Sequence, residues 1–116
     1  LSIRRQRQMC IRDSPYMDAK IIEELTIADL DCFYADADEV SSLNLFFILE
    51  ASLHRLHGKE NRKAAARCAF LMAYYLFTPL TPPASHELAE FYISKALEWD
   101  EIPEYRQWKE IIDMGN

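Results

Sequence analysis

The sequence predicts an all-α fold of about five antiparallel helices. Apolar residues recur at spacings of three and four along five segments, which is the period of a helix with one buried face. Two glycines and five prolines among 116 residues are too few for the many tight turns of a β-sandwich or barrel. The segments are joined by short connections, which favour antiparallel neighbours. A chain of this length, half of it hydrophobic, is large enough to bury one core.

The first helix is predicted over residues 18–35, with Asp18 as its N-cap. Its apolar face follows steps of four, four, three and four residues: Met17, Ile21, Leu25, Ala28 and Cys32. An acidic connector over residues 35–39 separates it from the second helix, which either Asp38 or Ser41 would cap. We expect the second helix to run from about Val40 to His57 and to end at Gly58.

The second helix is apolar around most of its circumference, so we expect neighbours on more than one side of it. The residues concerned are Leu43, Phe46, Phe47, Leu49, Leu53 and Leu56. A third helix is predicted from about Asn61 to Phe77, with small residues in its first half. The three prolines of residues 78–84 predict the end of that helix and a rigid connector, because proline cannot donate a backbone hydrogen bond.

Ser85 is the predicted N-cap of a fourth helix that ends near Trp99. Pro103 suits the first turn of a fifth helix, which Gly115 would close. Cys32 and Cys68 lie within apolar helical patterns and are interpreted as small core residues. No C-x-x-C pair indicates a metal or redox site.

Residues 40–105 resemble tetratricopeptide-type helical hairpins. Residues 70–77 (FLMAYYLF) are similar to the first helix of such a repeat, and residues 93–100 (ISKALEWD), with Ala89 before them, are similar to the second. The chain departs from the repeat pattern at Met72, in the apparent insertion of residues 79–84, and at Glu101. The resemblance implies binding of a protein or peptide in a concave groove, with no catalysis and no cofactor.

Residues 4–14 (RRQRQMCIRDS) resemble the translation of an adapter used in transposase-based sequencing, matched over eleven consecutive residues in one frame. We therefore expect residues 1–14 to be a non-native leader, of the kind produced when a gene is assembled from short, metagenomic reads. Residues 15–116 are then predicted to form a single helical domain. The true N-terminus of this domain would then be missing, and the domain could be the C-terminal part of a longer protein.

Charge excludes one class of partner. Without the four arginines and one aspartate of residues 1–14, the 13 basic and 19 acidic residues become 9 and 18, and the net charge changes from −6 to −9. Free nucleic acid is then not expected as a partner, because phosphate contacts need clustered basic residues. The densest acidic cluster (Asp29, Asp31, Asp36, Asp38 and Glu39) is interpreted as solvated helix ends or, alternatively, as a patch for a basic partner.

Metal and calcium sites are not predicted. His54 and His57 lie one helical turn apart, but zinc needs at least three protein ligands and no third is identifiable nearby in the sequence. Asp36 and Asp38 begin like a calcium loop, but Val40 and Ser41 replace a required ligand and the turn glycine. No apolar segment approaches the roughly 20 residues of a membrane span, and a cytoplasmic location is favoured.

Two functional hypotheses follow. The first is a non-enzymatic domain that binds a protein or peptide, with a binding surface predicted at six residues: Tyr74, Phe77, Leu80, His86, Tyr92 and Arg106. The alternative for the aromatic residues and Leu80 is a place in the core, since aromatic stripes at helical spacing are usually buried. The second hypothesis is a structural or regulatory C-terminal portion of a longer protein, such as an enzyme, whose N-terminal part is missing.

Overall fold

The computed structural model describes residues 16–115, and the prediction of an adapter-derived leader at residues 1–14 lies outside them. The described residues form six α-helices and no strand, which confirms the all-α prediction. The helices are α1 (Ala19–Glu24), α2 (Ile27–Asp36), α3 (Glu39–Arg55), α4 (Arg62–Tyr75), α5 (Ser85–Trp99) and α6 (Pro103–Met114). A 3₁₀ turn (Lys59–Asn61) precedes α4, and a π-helical turn (Leu76–Leu80) follows it.

The first predicted helix is divided in two at Leu25 and Thr26. Thr26 is the N-cap of α2 and forms a capping box with Asp29. The Thr26 hydroxyl accepts a hydrogen bond from the Asp29 amide at 3.2 Å, and the Asp29 carboxylate accepts one from the Thr26 amide at 3.0 Å. The prediction of one continuous helix over residues 18–35 is therefore wrong, and Ala28, predicted to be buried, faces solvent. The predicted N-cap Asp18 is confirmed, since its carboxylate accepts from the Ile21 amide at 3.0 Å.

Helix α4 is the centre of the fold. It contacts α1, α2, α3 and α5, and its packing against α5 is the most extensive of any helix pair. From Ala64 to Tyr75 every residue except Arg67 is buried. The alanines allow neighbouring helices to approach closely, while the aromatic residues fill the space beside α6. Phe70 stacks on Tyr105, with ring centroids 4.7 Å apart.

The first proline of the connector, Pro79, does not end the helical path as predicted. The helical path continues from Tyr75 into the π turn, with Pro79 inside it, and the Thr81 amide donates to the Leu76 carbonyl at 3.1 Å. This wider turn bonds residue i to residue i+5, and both prolines and π turns are sites where helices kink. The prediction that Ser85 is the N-cap of this helix is wrong, because Ser85 is the first residue of α5. The cap position is held by Ala84 in the left-handed conformation (φ 60°), and no side chain bonds there.

Helix α3 begins after Asp38, whose carboxylate accepts from the Ser41 amide at 2.7 Å; this hydrogen bond lowers the pKa of Asp38. Its most extensive packing is against α4. Val40, Leu43 and Phe47, spaced by three and four residues, are exposed. The expectation of neighbours on several sides is therefore wrong for this face of α3.

The two cysteines of the described residues differ in burial. Cys68 is buried, and its thiol lies 3.1 Å from the Leu49 carbonyl oxygen. Burial raises the pKa of the Cys68 thiol. Cys32, predicted to be buried as well, is half-buried, because the break before α2 rotates the apolar face of this segment.

Candidate binding groove

An open groove lies between α3 and α5, with α4 as its floor. It has a volume of about 640 Å³, and we call it the α3–α5 groove. Ala65 of α4 contributes to the floor, and its small side chain leaves the space open. The walls are largely apolar: Leu53 and Leu56 on the α3 side, and Phe91, Tyr92 and Trp99 on the α5 side.

The arrangement of the three helices explains why the groove exists. Both α3 and α5 pack against α4, so the two outer helices flank it. The C-terminal parts of α3 and α5 and the first turn of α4 line the same groove, which is the geometry of antiparallel neighbours. Farther along α3, the Phe46 ring packs edge-on against Tyr92, with centroids 6.3 Å apart. This contact joins the two walls at the aromatic end of the groove.

The opposite end of the groove is basic. Lys59 and Arg62 line it together with His57, whereas the Lys95 ammonium lies 5.7 Å from the centre of the Phe91 ring; Glu50 is the acidic residue among the lining side chains. This concentration of cations occurs in a chain whose net charge is −6. The groove therefore combines an α5 wall rich in aromatic residues with a basic end.

Tyr92 is held at the aromatic end by Glu50. The Tyr92 hydroxyl lies 3.4 Å from the Glu50 carboxylate, a long hydrogen bond. Burial raises the pKa of Tyr92, and the neighbouring Glu50 carboxylate raises it further. The next ring, Phe91, packs edge-on against Tyr92 at 5.1 Å but remains 54% exposed. Phe91 thus presents apolar surface at this end of the groove, and the Lys95 ammonium lies 5.7 Å from the centre of its ring.

The predicted binding residues do not form one surface. Tyr74 and Phe77 are buried, 4% and 6% exposed, and lie in the core instead of on a binding surface. The Tyr74 hydroxyl donates to Asp31 at 2.6 Å, and the ring packs edge-on against Trp108 at 5.0 Å. Burial raises the pKa of Tyr74, and the Asp31 carboxylate adds to the effect. The prediction for these two aromatic residues is corrected because Trp108 of α6 covers Tyr74, while Phe77, in the π turn, lies beside His86 of α5 with ring centroids 6.4 Å apart.

The other four predicted residues are accessible at separate places. Leu80 lines a different cleft of about 410 Å³, beside Leu43. His86 lies 2.8 Å from the Ile112 carbonyl oxygen and 3.3 Å from the Glu90 carboxylate. Arg106 pairs with Glu101. Of the six predicted residues, Tyr92 alone lines the α3–α5 groove.

Phe91, Trp99 and Lys95 are groove residues that the sequence analysis missed. They are spaced four residues apart along α5, which places them on one face. The buried face of α5 carries Ala89, Ile93 and Ala96. The sequence signal for this face is the spacing of Phe91 and Trp99, but that spacing fits a groove and a buried helix contact equally well.

Most of the acidic cluster forms hydrogen bonds within the domain. Asp29 is buried in the capping box of α2, Asp31 accepts the Tyr74 hydrogen bond, and Asp38 caps α3. Asp36 and Asp38 border a cleft of about 470 Å³ between α2 and α3. Three of the five acidic side chains therefore have structural partners, which leaves less of the cluster for a basic ligand.

Within residues 16–115, no group of three or more His, Cys, Asp or Glu side chains is placed to hold a metal ion. His54 and His57 both line the groove. None of the described helices combines the length and the apolar character needed to cross a bilayer. Comparisons of the chain with protein-family models, with curated proteins and with solved structures gave no significant match.

Proposed function

We propose that this domain binds a segment of another protein, or a peptide, in the α3–α5 groove, and that its activity is binding without a catalytic step. The observation that carries the proposal is the aromatic wall of the groove, where Phe91 stays half-exposed beside Tyr92 and Trp99. Exposed aromatic residues that line a concave surface are typical of binding sites, because they offer large apolar areas for burial.

Phe91 can contribute a large part of the binding energy of a ligand. A phenylalanine side chain that is 54% exposed presents about 100 Å² of apolar surface, which corresponds to about 2.5 kcal/mol on full burial. A loss of that size on truncation is typical of a hot-spot residue. The resemblance of residues 40–105 to tetratricopeptide-type hairpins supports the same proposal, since the groove lies within those residues.

Selection from a phage-displayed library of random 16-residue peptides tests the proposal. Peptides selected on the wild-type domain are measured by fluorescence anisotropy against Phe91→Ala. We expect dissociation constants about 10- to 100-fold higher for Phe91→Ala than for the wild type.

The matched control is Phe47→Ala. Phe47 is 53% exposed and lies outside the groove, so the two variants remove equal aromatic surface at different places. Peptides that lose affinity for Phe91→Ala and keep it for Phe47→Ala support the proposal. A selection that yields no peptide sensitive to Phe91→Ala would refute it.

A further inference from the structure

We propose that the occupant of the α3–α5 groove is an amphipathic helix whose acidic residues face the basic end of the groove. This inference rests on the proposed function and adds the chemical class of the partner. It depends on two features of the groove, the placement of its cations and the length of its apolar walls.

The two cations of the basic end come from adjoining elements. Lys59 belongs to the 3₁₀ turn and Arg62 to the first turn of α4, whereas Lys95 of α5 lies nearer the aromatic end, 5.7 Å from the centre of the Phe91 ring. Lys95 is partly neutralised by Glu98 at 3.5 Å. Within the described part of the chain, Lys59 and Arg62 form no ion pair, whereas Arg67, Arg106 and Lys109 each do.

Two cations face one carboxylate at this end of the groove. The carboxylate of Glu60 lies beside Gly58, which lines the groove, and offsets part of the charge of Lys59 and Arg62. Glu50 lies at the other end of the groove, where it contacts the Tyr92 hydroxyl. A ligand that carries carboxylates is thus attracted to this end of the groove and repelled by the rest of an acidic domain, which gives both orientation and specificity.

The length of the walls fits about two turns of helix. Glu50 to His57 and Phe91 to Trp99 each span about 10–12 Å at 1.5 Å per residue. Apolar residues at positions i, i+4 and i+7 of a bound helix are separated by similar distances, so they match the aromatic wall of α5. Residues 16–115 contain no strand, so an extended peptide has no sheet edge here with which to pair its backbone, whereas a helix satisfies its own backbone hydrogen bonds.

The composition of the selected peptides tests the inference. Peptides whose binding depends on Phe91 are sequenced, and their content of Asp and Glu is compared with that of the unselected library. We expect at least a twofold enrichment of acidic residues over basic ones. The tightest peptide, labelled with ¹³C, is expected to show helical chemical shifts when bound.

Charge reversal supplies the matched variants. Lys59→Glu/Arg62→Glu is expected to weaken binding of the tightest peptide about tenfold, since two partly exposed charge pairs become repulsive. The control Lys20→Glu/Lys63→Glu has the same net charge, and both of its lysines are exposed and outside the groove. The control is expected to change affinity less than twofold.

The outcomes separate the two proposals. Peptides that depend on Phe91 but are neutral, basic or extended when bound overturn this inference and leave the proposed function standing. Equal loss in the two charge-reversal variants also overturns it. The absence of any peptide that depends on Phe91 refutes both proposals.

Discussion

Arg67 joins three helices, and its replacement by methionine is expected to destabilise the fold strongly. Its side chain is 15% exposed. Nε and one terminal nitrogen donate to the Leu25 carbonyl at 2.9 and 2.7 Å, and the other terminal nitrogen donates to Glu104 at 2.9 Å. The guanidinium also lies 5.2 Å from the centre of the Phe70 ring. Arg67 thereby ties the end of α1 and the start of α6 to α4.

The magnitude follows from these contacts. Leu25 is fully buried, and loss of the guanidinium leaves its carbonyl without these two donors, at a cost of about 2 kcal/mol. The pair with the more exposed Glu104 adds up to about 1 kcal/mol. Methionine retains the apolar contacts of the arginine stem, so we expect Arg67→Met to lower the free energy of unfolding by about 3 kcal/mol.

Urea denaturation followed by circular dichroism measures this change. With a slope of about 1.5 kcal/mol/M, the midpoint is expected to fall by about 2 M urea. Lys109→Met is the control, because its pair with Asp113 on α6 is partly exposed and is worth at most about 0.5 kcal/mol. A free energy of unfolding for Arg67→Met within about 0.5 kcal/mol of the wild type would show that the guanidinium contacts do not hold the helices together.

Three further predictions concern the cap of α2 and the buried tyrosines. Thr26→Ala removes the capping box and is expected to lower the free energy of unfolding, measured by urea denaturation, by about 1 kcal/mol, whereas Thr26→Ser should retain most of the stability. An unchanged free energy of unfolding for Thr26→Ala would contradict the role of Thr26 as the N-cap of α2. Tyr74→Phe removes the hydrogen bond to Asp31 and is expected to cost about 1–2 kcal/mol, whereas an unchanged midpoint would mean that the bond adds nothing to stability. Burial raises the pKa of Tyr74, Tyr75 and Tyr105, so the unfolded chain releases these protons first as the pH rises. Stability should therefore be fully present below about pH 10 and fall above it, and a melting temperature that stays constant from pH 9 to 11 would contradict this.

Local sequence signals predicted most helix positions because they depend on nearby residues. Asp18 and Asp38 each bond the amide three residues ahead, and Pro103 begins α6 as expected. The break at Thr26 was also encoded locally, in its spacing from Asp29. The apolar period continues across this break, which is why periodicity alone predicts one helix over residues 18–35.

The binding groove could not be predicted in the same way. Tyr74 and Tyr92 are both aromatic residues at helical spacing, yet α6 covers the first and the second borders an open groove. Likewise, Phe70 is buried and Phe91 is exposed, although both lie in helical segments with similar apolar spacing. The difference comes from the helices that pack beside them. Helix periodicity identifies which residues share a face, but it does not identify what lies against that face.

The sequence by itself determined the all-α class and most helix ends, because helix period, caps and prolines act over three or four residues. Tertiary structure decided which aromatic side chains are buried and where the cations meet. Lys59 and Arg62 are close together in the chain, but only the packing of α3 and α5 against α4 places them at the end of a groove that Phe91 and Lys95 also line. Such convergence depends on contacts between residues far apart in the chain, which no local pattern encodes.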